Sequence, residues 1–263
     1  MLTNWIKQTD KALFEQLEWD KPERRDQSGR LLIIGGHLHN LNAPGKAYEY
    51  VREVGIGSVQ IALPSRVKSL VGTTLPGAVF LPSTPSGEFS RDGLSELIAH
   101  AQWADTILVA GDVGRNSQTT MLLSDLLAQV STPAVVTKDA IDALKNTPEI
   151  LLGRKETTIV ASFSQIQAIA KRLKVAEAFT FSMGVVKLVE QLTELITKYP
   201  SNIVTLHQNT LLIASKGRVS TTPLSDNKER TWRTKTAATA ACYQTWYPDK
   251  PLEALTHAAF LVK

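Results

Sequence analysis

The chain has 263 residues, of which 43% are hydrophobic, 21% charged and 6% aromatic, with one cysteine and a formal charge of +4. That composition excludes a disordered, collagen-like or disulfide-stapled chain; Cys242 has no intramolecular partner and fits a reducing compartment. With no apolar run of membrane-spanning length and no leader pattern in Met1-Leu2-Thr3-Asn4-Trp5, the expectation is a cytoplasmic protein folded as one domain over 1–263, without membrane contact.

In chain order, the spacing of Trp5, Ile6, Ala12, Leu13 and Leu17 predicts a peripheral helix from Trp5 to Trp19, so that 1–25 is a helix and loop outside the core. Arg30 to Gly36 is a continuous apolar run ending in paired glycines, the pattern of a buried parallel strand. A helix from Pro44 to Val54 and strands Val59–Leu63 and Ala78–Leu81 follow, then a helix from Leu94 to Ala101 and a strand at Thr106–Ala110. Next come a helix over Ser117–Val130, strands at Ala134–Val136 and Thr158–Val160, and helices near Asp139–Leu144 and Ser164–Leu173. Helix and strand in alternation predict an α/β fold with a mostly parallel sheet covered on both faces. After a helix over Met183–Lys198, the segments Ile203–Leu206, Thr210–Ala214 and Arg218–Thr221 read as a hairpin or meander. Helices over Ala237–Trp246 and Pro251–Leu261 close the chain.

Three segments carry candidate chemistry. Gly35-Gly36 either lets backbone amides approach a phosphate or ribose, or makes a tight turn into the next helix. Gly111-Asp112-Val113-Gly114-Arg115 follows a strand at the carboxyl edge of the sheet, where open α/β folds bind ligands; Asp112 there either grips a ligand or caps a helix. Lys228 to Ala237 precedes the alanine-rich helix and holds Arg233, Thr234 and Lys235. Cations at a helix start oppose its dipole, by about 0.3–1 kcal/mol each, unless an anion sits between them; the alternative is a solvated basic loop. Six basic and two acidic residues lie between Lys216 and Lys235, and the rest of the chain is balanced, so the charge argues for a bound anion more than for nucleic acid. The five histidines show no metal-ligand spacing, and neither a Walker A motif nor a G-x-S-x-G elbow occurs.

Taken together, these elements resemble the ribokinase-like ADP- or ATP-dependent NAD(P)H-hydrate dehydratases, over about 26–262. The resemblance is carried by Gly29 to His37, by Asn42-Ala43, by Gly55-Ile56-Gly57, and by Ala110 to Arg115 in place of Gly-Pro-Gly-Leu-Gly-Arg. Thr137 to Ile141 stand for Asp-Ala-Asp-Ala-Leu, and Pro251 to Ala254 for Pro-Phe-Glu-Ala. It implies a ribokinase-like fold, with Ala43, Asp112, Gly114 and Asp139 on the substrate side and Thr210, Arg233, Thr234 and Lys235 on the nucleotide or anion side. It further implies ADP or ATP, Mg2+, NAD(P)H hydrate as substrate, and a homo-oligomer.

The departures fall on the chemistry. Ala161-Ser162-Phe163-Ser164-Gln165 replaces Thr-Pro-His-x-Gly-Glu; of Lys-Gly-x-x-Thr only Thr210 is kept. Trp232-Arg233-Thr234-Lys235 stands where the family has Gly-Thr-Gly-Asp. A lysine, with an ordinary pKa of ~10.4, is protonated at neutral pH and is no base for a substrate hydroxyl. The sequence therefore implies a divergent relative with impaired or lost catalysis. The alternatives are a nucleotide- or anion-binding pseudoenzyme, a small-molecule kinase on the same fold, and a dehydratase that uses Asp226 as its base.

Overall fold

The computed structural model describes residues 4–224 and 232–263. Among these residues ten strands form a single sheet: β1 (Trp5–Lys7), β2 (Arg30–Gly35), β3 (Ser58–Pro64), β4 (Ala78–Leu81), β5 (Thr106–Gly111), β6 (Ala134–Thr137), β7 (Thr157–Ser162), β8 (Asn202–His207), β9 (Thr210–Ser215) and β10 (Arg218–Pro223). The helices are α1 (Gln16–Trp19), α2 (Asn42–Val54), α3 (Lys68–Val71), α4 (Leu94–Trp103), α5 (Ser117–Gln129), α6 (Asp139–Leu144), α7 (Pro148–Leu152), α8 (Phe163–Arg172), α9 (Val185–Lys198), α10 (Trp232–Trp246) and α11 (Pro251–Leu261).

The strand order is β1-β10-β9-β8-β7-β6-β5-β2-β3-β4. From β8 to β4 every neighbouring pair is parallel, whereas β8, β9 and β10 run as an antiparallel meander. Alternate side chains of a strand face opposite layers. Leu32, Ile34, Ile107 and Val109 pack into the layer of α4, α5, α6, α8 and α9. Leu31, Ile33, Leu108 and Ala110 pack into the layer of α2, α10 and α11. Both faces are covered, which is why the parallel strands read as unbroken apolar runs.

The chain proceeds from β2 outward to β4, then returns to the other side of β2 to lay down β5. The loops after β2 and β5 therefore diverge and leave a crevice at the carboxyl edge, the topological switch point where such sheets bind ligands. Gly35 and Gly111 lie side by side there, and a Cβ on Gly35 would sit 2.4 Å from the Gly111 carbonyl oxygen, so only glycine fits.

Two expectations are corrected. Trp5 to Trp19 is not one helix: Trp5–Lys7 is a strand parallel to β10, and only Gln16–Trp19 is helical. The free edge of β10 decides this, since the Gln8 amide donates to the Thr221 carbonyl at 2.8 Å and the Trp5 indole to the Thr221 hydroxyl at 3.0 Å. The last long helix also begins five residues early, at Trp232 rather than Ala237, because the Trp232 ring is buried in the α2–α10–α11 layer.

Candidate functional site

The site grows from the loop that leaves β5. Asp139, the first residue of α6, accepts the amides of Asp112 at 2.7 Å and Val113 at 3.0 Å, with Gly114 at 3.3 Å. Glu88 accepts the next two, Arg115 at 2.7 Å and Asn116 at 3.2 Å, and the Ser86 hydroxyl donates to its other oxygen. Five consecutive amides, which in a phosphate loop would face a ligand, are thus tied to two internal carboxylates. Burial works to raise the Glu88 pKa, but the hydrogen bonds from Arg115, Ser86 and Asn116 and the nearby His37 outweigh it and hold the carboxyl below its ordinary range. Gly114 is required here: its φ is +80°, and a Cβ would run into the Glu88 carboxylate.

Asp112 supplies a third carboxylate. It is buried, and it adopts a φ of +55°. One oxygen accepts the amide of Ala43, in the first turn of α2, at 2.6 Å; the other lies 3.4 Å from the Lys138 ammonium. At the α2 N-terminus the N-cap residue Leu41 offers no side-chain acceptor; the Asn40 side chain accepts the Asn42 amide at 3.1 Å, and Asp112 accepts the next one, that of Ala43, from 69 residues away.

Across the crevice stands α10. Its last turns lie at the amino ends of the strands, where the Gln244 amide reaches the Thr158 hydroxyl at 2.7 Å and the Thr245 hydroxyl donates to that of Thr106 at 2.8 Å. Its first turn therefore faces the carboxyl edge. Arg233, Thr234 and Lys235 are half-buried in that first turn, not ahead of the helix as the sequence suggests. Helix-start amides have no carbonyl partner within the helix, and the dipole makes that end positive. Lys235 forms no ion pair with any described residue, and the Thr236 hydroxyl, one residue on, is buried without a hydrogen-bond partner among them.

Gln165 joins the two sides. Its carbonyl oxygen takes the Ser162 amide at 3.0 Å and lies 3.5 Å from an Arg233 nitrogen; its amide donates to the Lys138 carbonyl and to the Asp142 carboxylate, both at 2.7 Å. Beside this hub, a cavity of about 1080 Å³ is lined by His37, Glu88, Arg115, Asp139, Asp142 and Lys145.

The fold thus brings Ala43, Asp112, Gly114 and Asp139 into one bonded cluster and links it to Arg233 through Lys138 and Gln165. Asp139 does not cap α6 but ties down the β5 loop. Thr210 lies on the same edge in the β8–β9 hairpin, where its hydroxyl is turned to the Gln208 carbonyl at 3.4 Å. Asp226, Lys228 and Arg230 lie outside the described residues. Glu88 and Lys138 escape a sequence reading; the one local signal for Lys138 is its place between a strand end and the Asp139 helix start.

Against known proteins, no family model matches the chain. It is 33% identical over 127 residues to the bifunctional NAD(P)H-hydrate repair enzyme Nnr of Moorella thermoacetica, covering 48% of this chain and 24% of that protein. The Nnr of Dictyoglomus turgidum is 23% identical over 209 residues, covering 78% of this chain and 39% of the relative. The matches thus span about a quarter to two-fifths of these curated relatives. Among solved structures, a ribokinase-like superfamily protein from Enterococcus faecalis superposes with a TM-score of 0.74 at 16% identity, covering 99% of this chain and 87% of the other. The ADP/ATP-dependent NAD(P)H-hydrate dehydratase of Bacillus subtilis, co-crystallised with ATP/Mg2+, gives 0.60 at 18% identity, covering 94% and 84%. No helix among the described residues is long and apolar enough to cross a membrane.

Proposed function

We propose that this chain, which has the ribokinase-like fold and is a sequence relative of NAD(P)H-hydrate repair enzymes, holds the phosphate of a nucleotide at the first turn of α10 and has lost the dehydration chemistry. The observation that carries the reading is the first turn itself: Arg233, Thr234 and Lys235 stand at a helix start that faces the crevice. Cations there are unfavourable alone and favourable around an anion. Thr210, on the neighbouring hairpin, is the further residue proposed for the nucleotide side, and Ala43, Asp112, Gly114 and Asp139 form the opposite wall.

Loss of catalysis follows from charge. Phosphoryl transfer needs a carboxylate to orient the attacking hydroxyl and a close backbone approach to the phosphate. At the four positions concerned the chain has Trp232, Arg233, Thr234 and Lys235, and none is a carboxylate or a glycine. Nucleotide phosphates fit this donor set. Mg2+ fits it poorly: Asp139 and Glu88 are engaged by backbone amides, Asp112 by Ala43 and Lys138, and no group of three metal-ligating residues occurs among the described residues.

Thermal denaturation with AMP, ADP and ATP tests the binding. A ligand at a hundred times its Kd stabilises the native state by about 2.7 kcal/mol, and no shift at millimolar nucleotide refutes the reading. NADH recovery from the hydrate with ADP or ATP tests the loss of catalysis; the expectation is no turnover above a heat-killed control.

A further inference from the structure

Among the described residues, six have positive φ without being glycine: Asp112, Lys138, Lys174, Gln208, Asn209 and Lys216. Gln208, Asn209 and Lys216 make hairpin turns, and Lys174 follows the end of α8. Asp112 and Lys138 remain; they sit at the ends of the adjacent strands β5 and β6, and they pair with each other. Backbone strain of this kind persists only where the surroundings hold it. Here Asp139 holds the amide of Asp112, and the Lys138 carbonyl accepts from Gln165.

That arrangement places a fixed carboxylate on the Ala43 amide at 2.6 Å, in the position a ligand anion would take at the α2 N-terminus. The neighbouring loop amides are closed by Asp139 and Glu88 in the same manner. We infer that Asp112 is a specificity-determining residue: it fills the β2–β5 side of the crevice with an internal anion, so that the site takes ligands carrying anionic charge at one end only and rejects those that bring a second anionic group to α2. The inference rests on the reading that α10 receives the phosphate, but it is decided at a different amide.

The experiment is a titration of the full chain with inorganic phosphate, followed residue by residue through backbone amide resonances, for wild type, Asp112→Gly and Asp112→Ala. Glycine accepts the positive φ without strain and leaves Asp139 and Glu88 in place; the alanine variant decides the matter should the glycine variant not fold. In wild type the Ala43 resonance is expected to stay still. With the carboxylate removed it is expected to titrate, at least tenfold more tightly than any response in wild type. An Ala43 amide that titrates equally in wild type and variants overturns the inference, as does one that stays silent in a folded variant. Silence of Arg233, Thr234 and Lys235 in all three proteins refutes the α10 reading instead, and the Ala43 result then decides only whether Asp112 closes the α2 start to anions.

Discussion

The two walls of the crevice are built on opposite plans. On the β2–β5 wall, Asp112, Asp139 and Glu88 accept the amides of Ala43 and of residues 112–116, so every donor named there already has an anion. On the α10 wall, Arg233 and Lys235 add positive charge to a helix start that is already positive, and Lys235 has no ion-pair partner among the described residues. The contrast separates what a structure needs from what a ligand needs. Internal carboxylates satisfy one wall whether or not anything is bound, whereas on the proposed reading the other is balanced by an arriving anion.

The largest expected effect breaks the satisfied wall. Asp139→Ala strips three amides of their acceptor, and at about 1–3 kcal/mol for each unsatisfied donor the loss should reach about 3 kcal/mol or more in urea denaturation. The double variant Arg233→Ala with Lys235→Ala should leave the melting temperature without nucleotide nearly unchanged, yet abolish the stabilisation by AMP; retained stabilisation would place the phosphate elsewhere. Gly114→Ala, at a φ of +80° and against Glu88, should cost about 1–3 kcal/mol in the same denaturation assay and leave AMP binding at α10 intact.

A smaller effect, remote from the crevice, serves as a control. His257 of α11 is buried, 3.5 Å from the Glu18 carboxylate. Burial pushes its pKa below the ordinary 6.5, with Glu18 pulling it partly back. The unfolded chain therefore binds the proton more readily than the folded one, so stability is full above the unfolded pKa and falls as pH drops below about 6.5, by at most about 1.4 kcal/mol per unit. A pH series of urea midpoints, compared with His257→Gln, checks the sign: the variant should lose the slope near pH 6.

How far the sequence carries depends on the range of the interaction. The buried strands are legible because burial on both faces turns them into apolar runs, as in Leu31 to Ile34, and α2 stops where Gly55 supplies a left-handed φ. β1 is not legible, since three residues become a strand only because β10, more than 200 residues later, offers an edge. The start of α10 is misread for the same reason: a polar first turn gains its helical state from burial of the Trp232 ring. At the site, sequence marks Asp112, Gly114 and Asp139 as chemically expressive. It does not tell that Asp139 and Glu88 hold the loop from within, because those contacts join residues 25 to 28 positions apart through the packing of β5, α6 and the loop after β4.

Whether the crevice receives phosphate at α10 and excludes it from the β2–β5 wall is decided by the difference density of a crystal soaked with AMP. Phosphate density is expected against the first turn of α10, beside Arg233, Thr234 and Lys235, with the Asp112 carboxylate still on the Ala43 amide. Phosphate on the Ala43 amide, with Asp112 swung away from it, would show instead that the β2–β5 wall is open to anions.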